Sequence, residues 1–193
     1  ATCTTPSTSC VVTGLTNGTA YTFTVVATNA AGDSSASTAS SPLTPYTVSG
    51  VPASVSGVAG NAQATVSWTA PVDDGGSAVT GYTATASPGG ATCTTPSTSC
   101  VVTGLTNGTV YTFTVIATNA AGDSNASSAS SSVTPYTVPG IPTSVSGSAG
   151  DAQVSVSWTA PVDDGGSSVT SYTATASPGG ATCTTATTSC TVT

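Results

Sequence analysis

The chain has no lysine, arginine or histidine, and its acidic residues, 7 in 193, are all aspartate, for a formal net charge of -7. Each absence excludes a class of chemistry. Without cationic side chains the chain cannot neutralise phosphates, so nucleic acid is not an expected partner. Missing histidine removes the usual general base and the commonest metal ligand. Missing lysine removes Schiff-base chemistry and an ammonium nucleophile. Neither catalysis nor a cofactor is expected. No apolar run approaches the roughly 20 residues that cross a bilayer, no secretory signal heads the sequence, and no membrane insertion is expected within it.

What is present is hydroxyl. More than a third of the residues are Ser or Thr, against 4% charged. That balance alone would suit a disordered, sugar-coated stalk. Trp, Tyr, Phe, Val and Ile nevertheless recur at strand-like spacing, which a disordered chain does not need.

The chain is also repetitive. "ATCTTPSTSC" fills Ala1 to Cys10 and returns unchanged at Ala91 to Cys100, with a near copy at Ala181 to Cys190. Shifting the sequence by 90 positions aligns 103 residue pairs, of which 18 differ by direct count. Most changes preserve size or polarity, as in Val26 against Ile116 and Val51 against Ile141. A unit of this length suits an autonomous domain rather than a solenoid turn. The Pro- and Gly-rich stretches "PYTVSGVP" (Pro45 to Pro52) and "PYTVPGIP" (Pro135 to Pro142) read as short, stiff linkers. They divide the chain into the C-terminal half of one unit (1–47), a complete unit (48–137) and the N-terminal half of a following unit (138–193).

Within the complete unit, "QATVSWTA" places Ala64, Val66 and Trp68 on one face and Thr65, Ser67 and Thr69 on the other. "YTFTVIATN" likewise turns Tyr111, Phe113, Val115 and Ala117 inward. Period-two alternation with β-branched residues predicts half-buried strands. The clusters "DDGG", "SPGG", "TNG" and "AAGD" supply turns at sandwich-like spacing. No segment has a helical period.

The ordered set of Pro52, Trp68, "PVDDGGSAVTGYTATA", "GLTNGTVYTFTVIATNAAGDS" and "VTPYT" resembles the fibronectin type III domain. The resemblance implies an all-β chain of tandem immunoglobulin-like β-sandwiches with seven strands per repeat. It also implies that Trp68 and Trp158 are core tryptophans of the second strand, and that Tyr21 and Tyr111 are tyrosine-corner residues. Asn17 and Asn107 stand where the family often has proline; Asn-Gly also turns well. On this alignment the opening phrase falls in mid-sandwich. One molecule's back half could complete another's front half, or the sequence is a window on a longer array. Thirteen residues occur at both ends, which favours the window.

The cysteines pair naturally as Cys3 with Cys10, Cys93 with Cys100 and Cys183 with Cys190, always C-x6-C. Each bridge is expected to staple a hairpin across a Thr-rich turn. Two thiolates without histidine fall short of a zinc site, and a redox pair is usually C-x-x-C. Persistent bridges place the chain outside the cell or on its surface. "PVDDGG" offers Asp73 and Asp74, and Asp163 and Asp164. These are either calcium-binding carboxylates, for which six to eight oxygens are needed, or caps of their own glycine turn. "AGDS" has Ala31 or Ala121 where an integrin motif needs arginine, so it reads as a hairpin. Asn17, Asn107 and Asn125 lie in N-glycosylation sequons, although Asn-Gly is also simply a turn.

Sandwich edges are usually guarded by lysine, other charges or proline. In this chain lysine is absent and the outward faces are Thr and Ser rows, so self-association with copies of the array, or a covering of glycans, is expected. The functional expectation is a non-catalytic extracellular stalk, fibre or filament. The alternatives are an adhesin or carbohydrate- or protein-binding accessory module, and the linker region of a secreted polysaccharide-degrading enzyme. One consequence is directly testable. Trypsin should leave the chain intact on a denaturing gel even after reduction and unfolding, because no Lys or Arg is present to be cleaved.

Overall fold

The computed structural model describes residues 1–193, and every regular element in it is a strand. Residues 1–47 carry the hairpin β1 (Thr28–Asn29) and β2 (Gly32–Asp33), with a bridge between Tyr21 and Leu43. Residues 48–137 carry β3 (Ala53–Gly60), β4 (Gln63–Thr69), β5 (Gly81–Ser87), β6 (Thr92–Thr95), β7 (Ser99–Thr103), β8 (Thr112–Asn119) and β9 (Gly122–Asp123). Residues 138–193 repeat the first five of these as β10 (Thr143–Gly150), β11 (Gln153–Thr159), β12 (Tyr172–Thr175), β13 (Thr182–Thr185) and β14 (Ser189–Val192).

The middle unit is a two-sheet sandwich, β3-β4-β7 against β6-β5-β8-β9, with every pair antiparallel. Alternation decides what each sheet buries. In β4, Ala64, Val66 and Trp68 are buried while Thr65, Ser67 and Thr69 are exposed. In β8, Phe113, Val115 and Ala117 lie inward, and in β5, Tyr82, Ala84 and Ala86 do. These join Val102, Leu105, Tyr111 and Val133 in one core cluster of 13 residues. The Trp68 ring leans on Tyr82 at 5.4 Å between centroids.

The core draws on both halves of the repeat. Val115 is 0% exposed, whereas Val25, its counterpart in residues 1–47, is 70% exposed. At roughly 25 cal/mol per Å² of apolar surface, neither half closes a core alone. The tyrosine corner is present in both copies: the Tyr21 and Tyr111 hydroxyls accept from the Thr16 and Thr106 N–H groups, each at 3.0 Å. The bond from Thr16 N–H holds Tyr21 below the usual tyrosine range, because it favours the phenolate.

Two features depart from expectation. The disulfides join Cys3–Cys10, Cys93–Cys100 and Cys183–Cys190, but Cys93–Cys100 does not staple a paired hairpin. β6 pairs with β5 and β7 pairs with β4, so the chain changes sheet between them and the bridge ties one sheet to the other. The seventh strand is also short. Regular pairing stops at Asp123, and residues 124–132 follow β8 in an irregular path held by serine hydroxyls.

Closing an eight-residue loop gives about 2.5 kcal/mol in the chain-entropy estimate. The double variant C93A/C100A should therefore be destabilised by about 2 kcal/mol in urea unfolding followed by Trp68 fluorescence. An unchanged midpoint would mean that the bridge contributes nothing to the sandwich.

Candidate functional site: the joint between units

The residues that read as capping carboxylates and turn glycines meet at the two places where one unit abuts the next. In "PVDDGG" each aspartate caps its own loop: Asp73 Oδ1 accepts from Gly75 N–H and Asp74 Oδ1 from Gly76 N–H, each at 2.8 Å. Asp163 and Asp164 do the same for Gly165 and Gly166. The capped glycines take φ values of +74° and +82° in the first loop and +74° and +85° in the second. A residue with a Cβ is strained there.

This loop grips the linker before it. Thr47 N–H donates to Gly75 O and Gly50 N–H to Asp73 O, both at 2.8 Å; Thr137 to Gly165 and Gly140 to Asp163 match them, also at 2.8 Å. Its tip then touches the preceding unit. Gly76 lies against Asn17 and Gly18, and Gly166 against Asn107 and Gly108. A Cβ on either loop glycine would overlap that backbone. The approach requires glycine on conformational and on steric grounds.

The receiving turn is braced from behind. Gly108 N–H donates to Pro135 O at 2.9 Å. The Asn107 amide accepts from Ala62 N–H and donates to Asn61, each at 2.8 Å. Asn107 thus acts as a brace, with its Nδ2 engaged inside the unit. Asn17 and Asn125, the other two sequon asparagines, are exposed.

A further residue, Asn119, carries no motif that assigns it to the joint. It is 5% exposed. Its Nδ2 donates to Thr47 O at 2.8 Å, Asp74 O at 2.7 Å and Ser77 O at 3.4 Å, while its Oδ1 accepts from Ala121 N–H at 2.9 Å. One amide therefore ties β8, the aspartate loop and the linker together. The only sequence signal is that position 119 continues the buried parity of β8 with a polar residue.

No group of three or more His, Cys, Asp or Glu side chains gathers as a metal site. The "AGDS" segment at Ala121 forms the β8–β9 hairpin, closed by Thr118 Oγ1 donating to Asp123 Oδ1 at 2.6 Å. The large apolar trough of about 830 Å³ in residues 138–193 is lined by Val154, Val156, Trp158, Tyr172 and Val192. In the middle unit the matching positions pack on Phe113, Val115 and Val133, so the trough is sandwich interior.

The joint has separable parts. Asn119→Ala should cost about 1 kcal/mol or more, from the loss of the buried donor that serves these part-buried carbonyls, measured by urea unfolding. In a chain whose last unit is completed by residues matching 104–137, Gly166→Ala should leave the middle unit's unfolding midpoint unchanged while raising the independent motion of that completed unit in ¹⁵N relaxation. Unchanged relaxation would contradict the steric role assigned to this glycine.

Known proteins share this architecture. The fibronectin type III domain family matches residues 2–44 and 50–134. Exoglucanase B of Cellulomonas fimi is 36% identical over 183 residues, covering 86% of this chain and 16% of that protein. Chitinase A1 of Niallia circulans is 40% identical over 134 residues, covering 65% of this chain and 19% of that protein. The chain therefore spans less than a fifth of either relative. Among solved structures, domains A168–A170 of titin superpose with a TM-score of 0.50 at 26% identity, covering 63% of this chain and 42% of that one. Sandwich topology, the core tryptophan, the tyrosine corner and the family match over most of its length give one result: the chain belongs to the fibronectin type III family, as an array of tandem domains.

Proposed function

We propose that the chain is a non-catalytic extracellular spacer, a stalk-like array whose domains are held at a fixed mutual orientation. The observation that carries this reading is the joint, which recurs with the same hydrogen bonds at Gly75 and Gly165 and the same glycine-to-glycine approach at Gly76 and Gly166. A linker whose N–H groups are bonded to the next loop is not a free tether. Stiff joints between near-identical units favour reach over recognition. The disulfides favour an oxidising location, and the relatives named above fit a module inside a larger secreted protein. Self-association with further copies would run end to end through the same joint.

Arrays of increasing repeat number should show a maximum dimension, in small-angle X-ray scattering, that grows linearly by about 30 Å per unit, the length of a ten-residue strand. Growth with the square root of repeat number would reject the spacer reading.

The second reading is an accessory module acting on or near polysaccharide, favoured by the identity to segments of an exoglucanase and a chitinase. Co-sedimentation with microcrystalline cellulose and with chitin separates the two. A spacer stays in the supernatant, and a binding module goes down with the solid.

A further inference from the structure

The irregular segment after β9 has an order of its own. β8 presents Phe113, Val115 and Ala117, at every second residue, to this edge, and they are met by Ser130, Ser127 and Ser124, at every third. Each serine makes the same pair of bonds. Its N–H donates to the facing carbonyl: Ser124 to Ala117 at 2.8 Å, Ser127 to Val115 and Ser130 to Phe113 at 2.9 Å. Its hydroxyl then accepts the facing N–H, at 3.0, 2.9 and 3.0 Å in that order. The same hydroxyl donates to the next carbonyl along, that of Asn125, Ser128 or Ser131. The side chain thus stands in for the backbone acceptor that a regular strand would supply. Residues 1–47 repeat the pattern with Ser34, Ser37 and Ser40 against Ala27, Val25 and Phe23.

Three residues of this segment cover the distance that two cover in β8. Two strand residues advance about 6.8 Å, so this segment advances about 2.3 Å per residue, too short for a strand. An incoming strand needs donors and acceptors repeating every second residue along the edge. The edge offers a three-residue repeat instead, with one carbonyl in each repeat already bonded to a hydroxyl.

We propose that this serine ladder is a charge-free edge guard, a period mismatch that keeps the sheet from adding a strand from a neighbouring copy. Edges in other sandwiches are blunted by lysine, proline or bulges. This chain has no lysine, and near-identical repeats supply abundant matching strands. The ladder closes the long edge of the four-stranded sheet, along Phe113 to Ala117 of β8.

The test is a register change. Deleting Asn125, Ser128 and Ser131 from the full chain brings Ser124, Ser127, Ser130 and Val133 to a two-residue period, and a milder variant deletes Ser128 alone. The triple deletion should fold, with native Trp fluorescence, and should at least double its weight-average mass over the parent at equal concentration in sedimentation. An intermolecular β-sheet band should appear with it in the infrared. A spacing-preserving control, N125A/S128A/S131A, should sediment as the parent does. The proposal fails if the folded triple deletion sediments like the parent, if the control associates as the deletion does, or if neither deletion variant folds.

Discussion

Everything distinctive in this array depends on backbone meeting backbone at the joint. Gly166 approaches Asn107 and Gly108 with no side chain between them, and Gly76 approaches Asn17 and Gly18 the same way. Such an approach is possible only where both surfaces are glycine turns, and it is useful only if those turns are themselves held. The aspartate caps hold one side, and Asn107, Asn61 and the Pro135 carbonyl hold the other. The orientation of one domain on the next then follows from local turn chemistry rather than from a large apolar interface. Because the unit is copied almost unchanged, the orientation is copied too.

The second constraint is the absence of cationic side chains. No ion pair between side chains is possible, so the polar groups that are satisfied are satisfied by neutral or singly charged hydrogen bonds, while Ser49 Oγ and the Trp68 and Trp158 Nε1 groups are buried without a partner. Asparagine fills this role at the joint, tyrosine at the corner, serine along the edge and aspartate in the loop. Such bonds contribute about 1 kcal/mol each and depend little on salt, since no opposite charges are there to be screened.

Much of this was legible in the sequence. The alternation in "QATVSWT" and "TFTVIATN" assigned the inward faces of β4 and β8 correctly, because a half-buried strand has to alternate. The aspartate loops were legible as self-capped turns for the same local reason. What the sequence left hidden is what depends on partners distant along the chain. Nothing in "DDGG" says that its glycines touch another domain. Asn119 looks like the end of a strand until Thr47 and Asp74 are seen around it. The bridge from Cys93 to Cys100 has hairpin spacing, but the strands it joins pair with β5 and β4 rather than with each other. The serine ladder is masked by composition: in a chain so rich in serine, a three-residue period does not stand out.

The most direct test of a fixed joint is the relative orientation of neighbouring domains in solution. Residual dipolar couplings should be measured in one weakly aligned sample of a chain whose last unit is completed by residues matching 104–137, for amides of residues 48–137 and of that completed unit. A single alignment tensor should fit both sets, with the orientation set by the Gly108–Gly166 contact. Two tensors of different magnitude would show that the domains reorient independently, and would contradict a joint held by glycine-to-glycine contact.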